Sequence, residues 1–98
     1  MSIVEVRSQI DRIDEQIVCL LAARQKLVKE AARYKTDEYA VRAPDRRATM
    51  MARRHEWAVA EGVSPEVVRR VYDAMIDSFI DLELHEHASI TTETSPGD

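Results

Sequence analysis

Arg24 stands where a helical repeat calls for an apolar side chain, between Leu20/Leu21 and Leu27/Val28. Lys35 follows eleven residues later. At about 100° per residue it returns to within about 20° of the same helix face, about 16 Å further along. Two cations so placed can point into one cleft, with a gap suited to a small dianion. A guanidinium taken out of water is costly unless it is paired. An acid such as Asp73, Asp77 or Glu83 could pair with Arg24, and so could an anionic ligand; the pattern leaves both open.

Glu83 completes the spacing Ile76, Phe79, Ile80, Glu83 (i, i+3, i+4, i+7), so its carboxyl lies at the edge of an apolar stripe. Burial there favours a protonated carboxyl able to donate a hydrogen bond, whereas pairing with Arg24 or Lys35 favours the carboxylate. Arg7 precedes Arg24 by seventeen residues, about 25 Å along one rod. It cannot meet Arg24 on one small ligand within a subunit, but the Arg7 of an antiparallel partner could. Taken alone, Arg7 reads as a solvated charge.

The stretch YKTDEYAVRAPDRR, residues 34–47, interrupts the helical pattern and gathers cations. Arg42, Arg46, Arg47, Arg53 and Arg54 face only Asp45 over residues 42–54 of a chain with net charge −4. It is either a solvated turn or one wall of an anion site. Other constellations are weaker. His85 and His87 are two apart, so a helix would put their imidazoles on different faces, and no metal is expected. No serine, cysteine or histidine forms a nucleophile–base pair, and no glycine-rich loop could cradle phosphate. An enzyme built from these residues would bind and orient an anion rather than form a covalent intermediate.

The elements that must hold these residues are helices. Ile3, Val6, Ile10, Ile13, Ile17, Leu20, Leu21, Leu27, Val28, Ala31 and Tyr34 alternate three- and four-residue steps, which predicts one amphipathic helix over 3–34. Its length of about 48 Å is more than 98 residues can cover, so a partner helix from a second subunit is the economical way to bury the stripe. A second, shorter helix starts near Pro44 and stops at Gly62. A third starts at Ser64-Pro65-Glu66 and carries Val67, Val68, Val71, Met75, Ile76, Phe79, Ile80 and Leu82. From Ser89 the polar run SITTETSPGD reads as a disordered tail, giving one helical domain over 1–88 and a tail over 89–98.

Composition narrows the function classes. Two glycines, three prolines and 45% hydrophobic residues suit a mostly helical globular chain. No apolar run approaches the roughly 20 residues of a membrane span. MSIVEVRSQID has no secretory pattern, and the single Cys19 suits a reducing cytoplasm, the expected location. One basic segment on an acidic protein is a poor nucleic-acid surface.

The run V6-R-S-Q-I-D-R-I-D-E-Q-I-V-C-L-L-A-A-R24, Lys35 eleven residues on, and then APDRR resemble the all-helical chorismate mutase type II (AroQ-type) superfamily over about residues 3–86. The resemblance implies an intertwined all-α homodimer with two sites, each closed by an arginine from the other chain. By position, Arg7 would be that partner arginine, Arg24 would bind a substrate carboxylate, and Lys35 would contact a carboxylate and the breaking ether oxygen. Arg46 would be the arginine of the second helix, and Val41 and Phe79 would border the substrate. Glu83 takes the place of a glutamine that hydrogen-bonds the ether oxygen. A protonated Glu83 would serve there; an ionised one would repel the developing charge. The family's reaction is pericyclic and needs no cofactor.

Two departures bear on the substrate. Many members carry an aspartate and then a glutamate that contact the ring hydroxyl; by position these are Ala43 and Arg47. Phe79 stands where a small hydroxylic residue is common. The contact to a 4-hydroxyl is thus left open. The resemblance implies chorismate rearrangement to prephenate first. The alternatives are isochorismate-pyruvate lyase, which the connection with A-P-D-R resembles, and 4-amino-4-deoxychorismate mutase. A helical dimer serving as an interaction module is the non-enzymatic alternative.

Overall fold

The computed structural model describes residues 1–94. Helix α1 spans Ile3–Ala32, α2 Glu38–Arg42, α3 Pro44–Glu61 and α4 Pro65–Thr94. The class is all-α, with no strand among the described residues. Three helices carry the architecture, and α2 is a short insert between the first two.

Ser2 opens α1 with a capping box. Its hydroxyl accepts the Glu5 N–H, and the Glu5 carboxylate accepts the Ser2 N–H, each at 3.2 Å. Two otherwise orphaned donors are satisfied at once. The helix ends at Ala32 rather than at residue 34. Tyr34 and Lys35 donate back to the Ala31 and Ala32 carbonyls at 3.0 and 3.3 Å, so Lys35 sits just beyond the helix in its closing turn. Asp37 then restarts the chain, its carboxylate accepting the Ala40 N–H at 2.8 Å. The stretch expected to be a loop therefore contains α2, capped by a residue type that favours this role.

The α2–α3 junction turns on Ala43, with φ 40° and ψ 63°. Pro44 disfavours the right-handed helical region for the residue before it, and Ala43 reverses the chain in the left-handed one instead. Such a conformation costs an L-residue about 1–2 kcal/mol. Pro44 is the first residue of α3, as expected. Gly62, at φ 71°, ends α3, and the Val63 N–H bonds the Ala58 carbonyl at 2.9 Å. The Ser64 hydroxyl accepts the Val67 N–H at 3.3 Å, and α4 begins three residues after that stop.

Helix α4 continues through Thr94, six residues into the segment read as a tail. The first strong breaker is Pro96, and nothing between Leu82 and Thr94 forbids helix. Residues 95–98 of that expected tail lie outside the described residues.

The core is small and centred on α4. Ile76 and Ile80 are buried with Val41 of α2, while Met50, Met51, Tyr72 and Leu84 pack around them. Ala32 and Ala58, both buried, close the approaches of α1 and α3. The first half of α1 behaves differently. Residues 1–20 are all exposed, with Ile10 at 49% and Ile13 at 54%. The molecule measures 65 × 27 × 15 Å with a radius of gyration of 17.4 Å, against about 13 Å for a compact chain of this length. Among the described residues, no helix is long and apolar enough to cross a membrane.

Candidate active site

The C-terminal third of α1, α2, the start of α3 and the middle of α4 enclose a cleft of about 90 Å³. Arg24, Val41, Arg46, Phe79 and Glu83 line it, together with Arg47 and Met50. Five of the seven residues singled out by sequence thus border one cavity. Lys35 joins them from its rim by meeting the Glu83 carboxylate. Arg7 does not: it lies on the exposed half of α1, and by helix rise stands about 25 Å from Arg24.

Arg24 is half-buried, its guanidinium carbon 4.6 Å from the Phe79 ring centroid. A cation over an aromatic face gains electrostatic attraction. No acid among the described residues forms an ion pair with it, and its Nη1 is buried without an acceptor. Burial holds its pKa below the usual arginine range; Arg54 and Arg46 add to that, while Tyr72 and Glu83 oppose it. Arg24 remains a cation at neutral pH.

The acids offered as partners for Arg24 are engaged elsewhere. Arg47 donates to Asp77 at 2.7 Å and to Asp73 at 3.4 Å. Its pKa is raised, chiefly by the hydrogen bond to Asp77. Glu83 is 5% exposed and pairs with Lys35 through Oε1, an attraction of charges with no well-angled hydrogen bond on that oxygen. Arg46 is exposed in the first turn of α3, and Val41 forms an apolar wall at 3% exposure.

Sequence reasoning missed Arg54. Its Nη1 donates to the Met50 carbonyl at 3.2 Å, and its guanidinium carbon lies 5.1 Å from the Trp57 ring centroid and 5.0 Å from that of Tyr72. The signal was present: Arg46, Met50, Arg54 and the buried Ala58 recur every four residues on one side of α3.

A roomier cleft, about 570 Å³, lies between α3 and the start of α4 against Met51, His55, Pro65 and Val68. Its Arg69 is neutralised by Glu66 and Asp73, and Arg54 borders it from α3; the unpaired Arg24 lines the smaller cavity, together with Arg46 and Arg47. Among the described residues no group of three potential ligands could hold a metal.

The model of the family described as chorismate mutase type II matches residues 6–84, a span that takes in every residue of this cleft. The chain belongs to the chorismate mutase type II family. It is 38% identical over 76 residues to the isochorismate pyruvate lyase of Pseudomonas aeruginosa, covering 78% of this chain and 75% of that protein. It is also 38% identical over 68 residues to the T-protein of Enterobacter agglomerans, covering 67% of this chain but only 18% of that much longer protein. Membership explains the cavity: an apolar slot walled by cations, with no nucleophile, is what a chorismate mutase-like enzyme requires.

Proposed function

We propose that the chain is a homodimeric isochorismate-pyruvate lyase, converting isochorismate to salicylate and pyruvate. One observation carries this choice of substrate. Arg47 is a donor already engaged by Asp73 and Asp77, and Ala43 offers only a methyl group. Neither position can accept a hydrogen bond from a ring hydroxyl as the aspartate and glutamate of many mutases do. The similarity to a named lyase over most of both chains supports the same reading.

The reaction balances without a cofactor. One carbon–oxygen bond of the ether breaks, one hydrogen passes from the ring to the enolpyruvyl methylene, and the two products together contain every atom of the substrate. Arg24 has a buried N–H ready for a carboxylate. Phe79 and Val41 hold the ring, and Arg46 reaches the cleft from α3. Lys35 contacts the ether oxygen as charge develops there, with Glu83 beside it. The rate enhancement comes from folding the side arm over the ring and from cations placed at the breaking bond.

The exposed stripe of α1 supports the homodimer. Ile3, Val6, Ile10, Ile13 and Ile17 form a stripe left in water. Burying each fully is worth about 1.5–3 kcal/mol, a large sum beside the roughly 5–15 kcal/mol that holds a domain together. An antiparallel second copy covers the stripe and brings its own Arg7 to the cleft.

Chorismate rearrangement to prephenate is the second reading, supported by the chorismate mutase type II match over residues 6–84; the interior cations suit either dicarboxylate. Incubating the protein separately with isochorismate, chorismate and aminodeoxychorismate distinguishes them. Salicylate and pyruvate in equal amounts are expected from isochorismate. Prephenate as the faster product would replace the lyase by the mutase, and no turnover of any of the three would remove the enzymatic reading.

A further inference from the structure

Next along α4 from Arg24 lies a second half-buried cation, Arg54, that neither the sequence motif nor the proposed reaction has used. Arg54 projects from α3 one helical turn below Met50, a residue on the floor of the cleft. Tyr72 and Phe79 are seven residues apart on α4, so they share a face about 10.5 Å apart along the axis. Arg54 covers the ring of Tyr72 and Arg24 covers the ring of Phe79. The two guanidiniums therefore stand in succession along one side of α4, with Trp57 closing the far side of Arg54.

This arrangement is costly without an anion. Arg54 Nε and Arg24 Nη1 are both buried and both lack an acceptor. Each buried unsatisfied donor costs about 1–3 kcal/mol, and like charges repel more strongly out of water. Among the described residues no carboxylate forms an ion pair with Arg54. A leucine or methionine in its place would pack between Tyr72 and Trp57 with no such cost.

We infer that Arg54 is a positioning residue: next to Arg24 along α4 and bordering the neighbouring cleft, its like charge holds the Arg24 guanidinium toward the smaller cleft for a substrate carboxylate. Arg54 does not touch the substrate. The field of the second cation also deepens the positive potential of the cleft, so a dianion is drawn in more strongly than by Arg24, Lys35 and Arg46 alone. The mechanism rests on the dicarboxylate reading of the site. The interaction of Arg54 with the charge on Arg24, larger than that of any other ionisable group, agrees with the geometry.

The test compares Arg54→Met, Arg54→Gln and Arg54→Lys with the parent protein, on whichever of isochorismate, chorismate and aminodeoxychorismate the parent turns over. Removing the charge should raise KM about tenfold while kcat stays within about twofold, because ground-state and transition-state binding are weakened alike. Arg54→Lys should recover most of the parental KM. Circular dichroism establishes which variants fold. An unchanged KM in a folded uncharged variant overturns the inference, and so does a lysine variant no better than methionine. If neither uncharged variant folds, Arg54 is a packing residue and the inference falls. A parent inactive on all three substrates would defeat the dicarboxylate reading, a result distinguishable from normal kinetics in the variants.

Discussion

Lys35 and Glu83 meet across the seam between the end of α1 and the middle of α4, the lysine side chain 26% exposed and the glutamate side chain 7%. The pair closes one end of the cleft and ties down the chain just where α1 stops. It has two separable roles, one in holding the fold and one in the chemistry.

Lys35→Ala should reveal both. Removing one partner of a buried pair costs about 3–5 kcal/mol; with Lys35 a quarter exposed, about 1–3 kcal/mol is the expected loss here after solvent screening. Activity should fall by about 10²–10³, the usual effect of deleting a charge-stabilising group. Adding Glu83→Gln to that variant removes the stranded carboxylate. Urea unfolding should show most of the stability restored, while turnover stays low. If the double variant regains activity as well, Lys35 is a structural cation only.

The Arg47–Asp77 contact predicts how stability depends on acid. The hydrogen bond from Arg47 is the main cause of an Asp77 pKa below the usual carboxylate range. An unfolded aspartate titrates near pH 3.9, so the unfolded chain takes up its proton first as pH falls. The stabilisation is complete above that value and disappears as pH drops through the lower, folded pKa. Glu66, held low by Arg69 and Arg70, acts in the same direction. Melting temperatures measured from pH 7 down to about pH 2 should fall less steeply for Asp77→Asn than for the parent. Parallel curves would mean that Arg47 does not hold Asp77 in solution.

Much of this was legible in the sequence because it follows from periodicity. The stripe from Ile3 to Tyr34, Pro44 at a helix start and Gly62 at a helix end place three helices from the sequence alone. Arg24 and Glu83 stood out as charges in apolar registers, and both border the cleft. What was not legible depended on neighbours in space. Nothing in the spacing of Arg47, Asp73 and Asp77 says that the arginine takes both acids and leaves Arg24 without one. Arg54 was hidden because an arginine pair in an exposed-looking helix resembles a solvated face until Tyr72 and Trp57 are placed around it. Asp37 as an N-cap was masked by the polarity of its surroundings, which read as loop.

Ala43 offers a test of strain and of substrate choice at one position. Its φ of 40° suits glycine. Ala43→Gly should stabilise the fold by about 0.5–1 kcal/mol, the relief of strain outweighing the added entropy of the unfolded chain. Ala43→Val should destabilise it by more than about 1 kcal/mol. Ala43→Asp also places an acceptor where many mutases have one. The ratio of chorismate to isochorismate turnover should rise in that variant. A ratio unchanged in a folded Ala43→Asp protein would detach this position from hydroxyl recognition.

The exposed half of α1 leads to the last prediction. If the partner's Arg7 completes each site, Arg7→Ala and Lys35→Ala proteins are each inactive as homodimers. Unfolding the two together and refolding them should regenerate activity. In a heterodimer, the site that uses the intact Lys35 of one chain receives the intact Arg7 of the other, while the second site lacks both. With random pairing half of the dimers are mixed and half of their sites are whole, so about a quarter of the parental activity should return. Chromatography should show one dimeric species throughout. An active Arg7→Ala homodimer would remove the partner arginine from the site. A mixture that stays inactive while forming heterodimers would mean that the shared-site arrangement has to be abandoned.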